Sequence, residues 1–464
     1  MVPMPIQPPV DPAAHPTPDS PQSPAHTATG TEARTSADAA AIPTAAGAGG
    51  HVLVVGAGPA GSAAALRAAR AGFTVTLVDQ AEFPRDKTCG DGLTPRAMHA
   101  LEELGFGAEI GDGFRTQGLK LFGFGGEVTC PWGDSAFGAY GSAMRRTRFD
   151  ALLVERAAAH PAVTFLPGRK VLRPEFAGAR ISALVLQEQD GAERRLPVTH
   201  VLVADGVRST LGKQLGRVWH KEHVYGIAAR SYCRTPRSGE PWIHSHLELR
   251  DAAGDTHPGY GWVFPLGPSE GYANVGCGAL STLARPSHIN TKKVLAHYAS
   301  SLAADWGFSS PEHVASALLP MGGAVSNVAG PNWMLLGDAA ACVNPLNGEG
   351  IDYALETARH AVDILAQQPR ADYTLLWPDV LRAHYGAAFS LARSLARLLT
   401  VDSFLPRTGP LALRGPQASI VMPAAARLMG NLVTEEDRDL VARAWRAAGH
   451  RTARGPQLWD STGA

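Results

Sequence analysis

Apolar residues between positions 51 and 79 form two short runs on either side of a small-residue segment. The run at 52–55 is rich in β-branched residues, which suit a buried parallel strand. An alanine-rich segment with helical character follows, and a second apolar run at 73–78 ends in Asp79. This order predicts the first strand–helix–strand unit of an α/β fold.

The rest of the chain shows shorter periodic segments separated by glycine, proline and asparagine. Residues 82–94 are dense in Gly, Pro and charge and predict a loop, after which Pro95 begins a helix. A further helix is predicted at 144–159, a long one opens after Gly350, and the chain from 373 onward is helical. Strands are predicted at 113–140 in short pieces, 163–171, 181–187, 195–203, 333–336 and much of 224–280, where the turn at 268–271 predicts a hairpin.

These elements divide the chain into four predicted parts. Residues 1–50 are rich in Pro, Ala, Thr, Ser and Gly, with few large apolar side chains to bury, and predict a disordered tail. Segments 51–112, 141–218 and 325–370 predict one discontinuous nucleotide-binding domain. Segments 113–140 and 219–324 predict a β-rich substrate domain, and 371–464 a C-terminal helical region.

Composition and charge narrow the class of protein. The 464 residues are 45% hydrophobic, enough for a substantial core. Lys+Arg and Asp+Glu both number 42, and this balance argues against a nucleic-acid partner. The five cysteines have no CxxC spacing, so neither a disulfide framework nor a metal site is predicted, and a reducing cytoplasm fits. No run of about 18 apolar residues predicts a membrane-spanning helix.

The turn after the first strand has the GxGxxG spacing of a dinucleotide site. Gly56 permits a tight turn, Gly58 lets backbone approach a pyrophosphate, and Gly61 lets the helix pack on the strand. The helix N-terminus offers N–H groups to the phosphates, and Asp79 can accept hydrogen bonds from ribose hydroxyls. The alternative is a glycine-rich turn that binds nothing.

Two later strand ends carry similar turns. Asp205 and Gly206 follow one predicted strand, and Gly337 and Asp338 follow another. Asp338 can accept from sugar or ribityl hydroxyls, and backbone N–H groups at 348–350 can stabilise negative charge on a reduced ring system. Each of these turns, taken alone, is also compatible with an ordinary strand-to-helix connection.

Two further segments supply candidates for the reacting face. In the loop at 82–94 the candidates are Lys87, Cys89, Gly90, Asp91 and Gly92, although Cys89 is equally compatible with a small apolar filler.

Tyr260, Trp262 and Phe264 alternate, so they point to one face of a strand. That face is either a core face or the wall of an apolar pocket. The Arg-bearing, amphipathic C-terminal region is compatible both with a membrane-surface contact and with a helical cap.

Four motifs in order resemble the FAD-dependent oxidoreductases of the glutathione-reductase and aromatic-hydroxylase type. They are GAGPAG at 56–61, RTRFD at 146–150, ADGVRS at 204–209 and LLGDAAACVNPLNGEG at 335–350. Within that group the chain resembles the geranylgeranyl reductase family, and most closely its bacterial members that saturate an isoprene unit of the menaquinone tail. The motifs that carry this resemblance are DKTCGDGLTPRA at 86–97, GYGWVFPLG at 259–267, NVGCG at 274–278 and NPLNGEGIDYALE at 344–356.

The resemblance implies an α/β, Rossmann-like FAD-binding domain with an inserted antiparallel β-sheet substrate domain and a C-terminal helical region. It implies FAD held by Gly56, Gly58, Pro59, Ala60, Gly61, Asp79, Gln80, Lys87, Cys89, Gly90, Arg146, Asp205, Gly206, Gly337, Asp338, Pro345, Gly348, Glu349, Gly350 and Ile351. Cys89, Tyr260 and Trp262 are the implied catalytic residues, and Asp91, Tyr260, Trp262 and Phe264 the implied substrate pocket.

The resemblance implies hydride transfer from reduced flavin to an isoprenoid C=C bond, and among isoprenoids it favours the menaquinone side chain. Aromatic faces would stabilise positive charge that develops on the more substituted carbon. The electron donor, NAD(P)H or a ferredoxin-like protein, stays open, as does the proton source among Cys89, the flavin, a tyrosine and water.

Other functions share parts of this pattern. Geranylgeranyl diphosphate and prenyl lipids are alternative substrates, an aromatic-type monooxygenase uses the same nucleotide motifs, and a non-redox flavin carrier needs nothing more than FAD. Because a bilayer-dissolved tail must be reached, we expect a cytoplasmic protein that contacts the inner face of the cell membrane.

Overall fold

The computed structural model describes residues 50–453, apart from 112, 134 and 435, together with residue 459. The predicted N-terminal tail at 1–50 therefore lies, except for Gly50, outside the described residues.

The described residues form twenty-one strands, many of them short. In chain order they are β1 (His51–Val55), β2 (Thr74–Val78), β3 (Gly92–Leu93), β4 (Arg115–Thr116), β5 (Gly118–Gly123), β6 (Gly126–Pro131), β7 (Gly141–Ala143), β8 (Val163–Leu166), β9 (Lys170–Ala177), β10 (Arg180–Gln187), β11 (Glu193–Pro197), β12 (His200–Val203), β13 (Val218–Trp219), β14 (Tyr225–Arg234), β15 (Trp242–His246), β16 (Gly259–Pro265), β17 (Tyr272–Ser281), β18 (Glu312–Pro320), β19 (Val325–Ser326), β20 (Ala329–Gly330) and β21 (Trp333–Leu335).

The same residues form thirteen α-helices. They are α1 (Pro59–Arg70), α2 (Pro95–Glu103), α3 (Gly107–Gly111), α4 (Arg146–Ala158), α5 (Thr210–Gln214), α6 (Thr291–Ser301), α7 (Ala303–Trp306), α8 (Ile351–Gln367), α9 (Tyr373–Leu381), α10 (Ala387–Leu399), α11 (Phe404–Arg414), α12 (Ala418–Met429) and α13 (Leu440–Thr452). A 3₁₀ turn at Gly337–Ala340 and a π-helical turn at Arg382–Gly386 complete the helical structure.

A six-stranded sheet carries the first predicted unit. Its order is β20-β21-β12-β1-β2-β8, and all neighbours are parallel except β20 and β21. The apolar run of β1 is buried in the middle, as predicted. Helix α1 packs closely on this strand because Gly61 has no side chain, since a Cβ there would overlap the carbonyl oxygen of Gly56.

A seven-stranded sheet, ordered β18-β14-β17-β16-β15-β5-β6, contains the predicted hairpin. Strands β16 and β17 pair antiparallel, with Trp262 opposite Gly276. Helices α6 and α7 cover one face, where Val263, Cys277 and Tyr298 share a buried cluster. Tyr260, Trp262 and Phe264 alternate onto the opposite face, and their neighbouring ring centroids lie 5.9 and 6.2 Å apart.

Two predicted strands are each divided in the structure. The segment 163–171 contains the end of the parallel sheet, β8, and the beginning of β9 in a separate three-stranded sheet. The chain turns between them at Pro167 and Gly168, whose φ is +67°. The segment 195–203 likewise belongs to two sheets, because β11 pairs with β10 whereas β12 enters the parallel sheet. Pro197, at the end of β11, has no N–H with which to continue the ladder.

Among the described residues, no helix has both the length and the apolar character needed to cross a membrane.

Candidate active site

Three strand ends meet at the carboxyl edge of the parallel sheet. The turns after β1, β12 and β21 are neighbours because these strands are adjacent in the sheet. The approach is tight, since a Cβ on Gly56 would overlap the carbonyl oxygen of Ala204. Gly56, Gly206 and Gly337 have φ values of +96°, +73° and +53°, in the region that favours glycine. The three turns predicted separately from sequence therefore form one edge, which we call the nucleotide edge.

Two arginines flank the first turn of α1. Its N-cap residue, Gly58, offers no side chain to the helix N–H groups. A Cβ on Gly58 would lie 3.4 Å from Nη2 of Arg85 and 4.0 Å from Nη2 of Arg146. Both guanidinium groups pair with Asp150, Arg146 at 2.6 Å and Arg85 at 3.0 Å. One carboxylate thus holds two cations beside a helix N-terminus, an arrangement that fits a pyrophosphate.

Arg85 is not among the residues that the sequence predicts to bind the cofactor. It lies in the loop at 82–94, and sequence spacing does not show that this loop folds back onto Gly58.

Asp79 supports the glycine turn directly. Its Oδ2 accepts a hydrogen bond from the N–H of Ala57 at 2.7 Å, and its Oδ1 accepts from the N–H of Ala81 at 2.8 Å. The Asp79 carboxylate therefore already accepts two backbone hydrogen bonds, and the predicted contact with a ribose hydroxyl would be a third. The following residue, Gln80, is exposed.

The other end of the nucleotide edge contains buried polar atoms without partners. Asp205 accepts from the N–H of Leu211 at 2.9 Å through Oδ2, while no described group hydrogen-bonds its buried Oδ1. Arg217 donates from Nε to the carbonyl of Ala339 at 2.6 Å, and its buried Nη2 likewise has no described hydrogen-bond partner. Burial lowers the pKa of Arg217 to about 10, against the opposing influence of Asp205 and Asp338. Unsatisfied polar atoms beside Asp338 suit a polyhydroxylated ligand.

Together these observations fit FAD. The pyrophosphate would lie at the N-terminus of α1 with Arg85 and Arg146, and the ribityl chain would lie near Asp205, Arg217 and Asp338.

The loop at 86–92, which we call the Cys89 loop, is pinned by the carboxylate of Asp91. Asp91 is fully buried and has a φ of +66°. Its Oδ2 accepts hydrogen bonds from the hydroxyl of Tyr232 at 2.7 Å and from Nδ2 of Asn274 at 2.9 Å. Its Oδ1 accepts from the N–H of Arg146 at 3.3 Å. Asp91, predicted to line the substrate pocket, is instead a positioning residue whose oxygens face protein donors.

Asn274 joins the Cys89 loop to the aromatic strand. Its Nδ2 also donates to the carbonyl of Cys89 at 2.7 Å, and its Oδ1 accepts from Nε1 of Trp262 at 3.0 Å. Asn274 belongs to the motif NVGCG, but the sequence alone does not indicate a role for its side chain.

The Cys89 thiol is half-buried in this loop. Its sulfur accepts a hydrogen bond from the N–H of Asp91 at 3.4 Å. Burial raises the pKa of Cys89 to about 11, although Arg146 acts in the opposite direction. The side chain is therefore a neutral thiol at pH 7.

Phe264 fixes the distance between the Cys89 loop and the seven-stranded sheet. A Cβ on Gly90 or on Gly92 would lie 2.8 Å from Cε2 of the Phe264 ring. Only glycine at these positions lets the loop backbone lie against the ring.

A cavity of about 60 Å³ opens beside this contact. It lies between the sheet, the end of the Cys89 loop, the loop at 344–350 (the Pro345 loop) and the end of α12. Its lining residues are Gly92, Leu93, Thr94, Leu119, Trp132, Ile243, Ser245, Tyr260, Phe264, Asn347, Glu349, Met429 and Gly430.

The three alternating aromatics have different surroundings. Tyr260 and Phe264 line the cavity, and the Tyr260 hydroxyl donates to the carbonyl of Asn347. Trp262 lies between them but packs over Gly276, where a Cβ would overlap its indole. Trp262, predicted as catalytic, is not among the residues that line the cavity and lies between the two aromatic residues that do.

The Pro345 loop uses its own backbone donors. The N–H of Gly348 donates to the carbonyl of Asn344 at 2.9 Å, and the N–H of Glu349 donates to Oδ1 of Asn347 at 2.9 Å. These two N–H groups, predicted to stabilise a reduced ring, are therefore engaged within the loop.

The remaining predicted cofactor residues lie around the same edge. Pro59 and Ala60 form the first turn of α1, Ile351 begins α8, and the Lys87 ammonium lies 4.0 Å from where a Gly206 Cβ would be.

Glu349 presents a carboxyl group to the cavity. Its Oε1 accepts from the N–H of Ile351 at 3.0 Å. Burial, and secondarily Asp352, raises the pKa of Glu349 to about 8. Sequence spacing indicated only its backbone as a cofactor contact.

Comparison with known proteins agrees with this geometry. The family described as "FAD binding domain" matches residues 50–376. The fold and the nucleotide edge define an FAD-dependent oxidoreductase.

Two relatives narrow the class. The chain is 51% identical over 399 residues to a menaquinone reductase of Mycolicibacterium smegmatis, covering 86% of this chain and 95% of the relative. It is 30% identical over 358 residues to digeranylgeranylglycerophospholipid reductase 1 of Methanopyrus kandleri, covering 75% of this chain and 90% of the relative. The chain therefore belongs to the geranylgeranyl reductase family of FAD-dependent oxidoreductases.

A solved structure shares the fold. The geranylgeranyl bacteriochlorophyll reductase-like protein of Thermoplasma acidophilum superimposes with a TM-score of 0.66 at 17% identity, covering 87% of this chain and 97% of the other.

Replacing Arg85 tests the arrangement at the N-terminus of α1. We expect Arg85→Ala to weaken FAD binding about 10- to 100-fold, since a charge-assisted hydrogen bond contributes about 1.5–3 kcal/mol. Titration of the apoprotein with FAD, followed by flavin fluorescence, measures the change. Arg173→Ala, which removes an exposed ion pair with Glu193, is the matched control. Equal affinities for Arg85→Ala and wild type would contradict the assignment.

Proposed function

We propose that this enzyme reduces a C=C bond in the isoprenoid side chain of menaquinone. The observation that carries the proposal is the aromatic-walled cavity between the Cys89 loop and the Pro345 loop. The similarity to a protein named menaquinone reductase supports the choice of substrate.

The cavity has the chemistry that an isolated alkene requires. FAD, when bound and reduced, supplies the hydride. The faces of Tyr260 and Phe264 stabilise positive charge that develops on the more substituted carbon, each by about 0.5–2 kcal/mol. Leu93, Leu119 and Ile243 give the rest of the wall an apolar surface suited to a hydrocarbon chain. Cys89 keeps its proposed place at the reacting face, in the loop that adjoins this cavity, whereas the N–H groups of Gly348 and Glu349 are engaged within the Pro345 loop.

The character of the cavity supports a neutral head group. Among the described residues that line it, none is Lys or Arg. A prenyl diphosphate would need such cations to balance its charge, whereas a quinone or lipid tail needs none. The lining of the cavity thus disfavours a prenyl diphosphate. Between the two tails, the similarity to a menaquinone reductase favours the quinone tail as the substrate.

We also propose that helices α11 and α12 contact the membrane that contains this substrate. Their inner side chains, Leu413 and Met422, pack on the seven-stranded sheet. Leu411 on α11 and Ile420 and Val421 on α12 point outward and are 64%, 74% and 45% exposed. The end of α12 lines the cavity, so one helix connects an exposed apolar surface to the proposed site.

The charge of this region suits an anionic bilayer. Helices α11 and α12 contain three arginines (Arg407, Arg414 and Arg427) and no acidic residue, and Arg427 forms ion pairs with Asp437 and Asp439. Basic and apolar residues on neighbouring helices are typical of interfacial binding.

An anaerobic turnover assay tests the substrate. Dithionite-reduced enzyme is mixed with liposomes that contain menaquinone, and mass spectrometry reads the quinone tail. We expect a gain of two hydrogens in the side chain together with flavin reoxidation. Unchanged menaquinone, with turnover of geranylgeranyl diphosphate or with substrate-dependent oxygen consumption, would contradict the proposal.

A double variant tests the membrane contact. We expect Ile420→Glu combined with Val421→Glu to reduce binding to anionic liposomes more than about 10-fold, because burying each aliphatic side chain contributes about 1.5–3 kcal/mol. Co-sedimentation measures the bound fraction. Phe176→Glu is the control, since Phe176 is 52% exposed but belongs to β9. Truncation at Leu411 would be a poorer test because it also removes the buried Leu413 and Met422. Equal liposome binding by the double variant and wild type would overturn the assignment.

A further inference from the structure

We propose that Glu349 is the general acid that protonates the prenyl chain. The proposal rests on the proposed alkene reduction, because that reaction needs one proton for each hydride. It gives Glu349 a role in the chemistry that differs from the backbone contact with the cofactor.

Glu349 is one of two ionisable side chains at the cavity. Of the described side chains that line the cavity, only Tyr260 and Glu349 are ionisable. Cys89 lies in the adjoining loop and is not among the lining residues. A proton that enters the cavity from a protein group therefore comes most directly from one of these two side chains.

Tyr260 and Glu349 differ in their ability to release a proton. The hydroxyl hydrogen of Tyr260 is committed to the carbonyl of Asn347. Burial and the neighbouring Glu349 also raise the pKa of Tyr260, which makes it a weak acid. The Glu349 carboxyl accepts hydrogen bonds from backbone N–H groups of Gly350, Ile351 and Asp352, of which the one from Ile351 to Oε1 is 3.0 Å long. Glu349 is therefore the stronger acid of the two side chains that line the cavity.

The charged groups around Glu349 favour its neutral form. Asp352, on the same helix end, disfavours a charged Glu349, and Tyr260 and Cys89 are the ionisable groups facing it from the sheet and the Cys89 loop. The cation closest to Asp352, Arg96, forms an ion pair with Glu356 at 2.6 Å. Glu349 is therefore mainly neutral near pH 7 and can act as an acid.

In the proposed step the carboxyl O–H bond of Glu349 breaks, and a C–H bond forms at the alkene carbon that does not receive the hydride. Both electrons of the other new C–H bond come with the hydride from a two-electron-reduced flavin. Glu349 is left as a carboxylate and regains its proton from water after turnover.

Glu349→Gln removes the acidic proton while keeping an oxygen that can accept from Ile351. In anaerobic single turnover with menaquinone liposomes, we expect prenyl reduction to slow at least about 10²-fold, the usual minimum effect of general acid catalysis. FAD affinity should be unchanged, and Glu349→Asp should restore part of the rate. In wild type the rate should fall as the pH rises through about 8, because the neutral acid is lost, and this fall should be absent in Glu349→Gln.

Infrared spectroscopy without substrate gives a readout that does not depend on turnover. We expect wild type to show a protonated carboxyl band at pH 7 that disappears above about pH 8 and is missing in Glu349→Gln. Tyr260→Phe and Cys89→Ser are run in parallel as the competing proton donors.

The outcomes separate the two proposals. If wild type reduces the tail, and Glu349→Gln does so at the wild-type rate while Tyr260→Phe or Cys89→Ser does not, the Glu349 proposal is overturned and the proposed function stands. Absence of the Glu349-dependent band at pH 7 also overturns it. If wild type reduces no prenyl substrate, the proposed function itself fails.

Discussion

The carboxylate of Asp91 holds the site together. Its two oxygens accept hydrogen bonds from Arg146 at the beginning of α4, from Tyr232 on β14 and from Asn274 on β17. These donors belong to the cofactor side and to two adjacent strands of the seven-stranded sheet. Burial raises the pKa of Asp91 to about 6, so the donors are needed to keep it ionised at neutral pH. Loss of any one donor leaves buried charge less compensated, which is costly.

The consequence of this anchor is a fixed distance between cofactor and substrate wall. The Cys89 loop lies against Phe264 because Gly90 and Gly92 have no side chains, and Asn274 ties the same loop to Trp262. Phe264 and Tyr260 can then form one wall of the cavity while the Pro345 loop forms another. The nucleotide edge, the anchor and the aromatic strand thus form a continuous path of contacts.

The local parts of this arrangement are predictable from sequence. The glycine spacing at 56–61 predicts the turn and the close helix packing, because both depend on residues within one strand–helix unit. The hairpin of β16 and β17 is predictable for the same reason. The sequence predicts one strand at 163–171 and one at 195–203, whereas the structure ends a strand near Pro167 and near Pro197. The pattern of apolar residues does not show where the chain passes from one sheet to another.

The rest depends on contacts between distant parts of the chain. Asp91 and Asn274 are 183 positions apart, and the sequence around either residue does not indicate that the two form a hydrogen bond. Arginine is ordinarily a surface residue, and only the folding of the loop at 82–94 and of the chain after α5 brings Arg85 and Arg217 to the nucleotide edge. The motif at 344–356 predicts a cofactor contact for Glu349. The raised pKa of Glu349 arises from its burial and from the nearby Asp352, and the sequence shows neither of these.

Photo-crosslinking of the substrate tests the central claim, that the prenyl chain lies between the aromatic strand and the two loops. A menaquinone analogue with a diazirine in its tail is bound to the FAD-loaded enzyme, irradiated and mapped by peptide mass spectrometry. The account predicts cross-links in the peptides that contain Tyr260, Phe264 or Met429. Cross-links confined to other peptides, with an analogue that is still reduced, would contradict it.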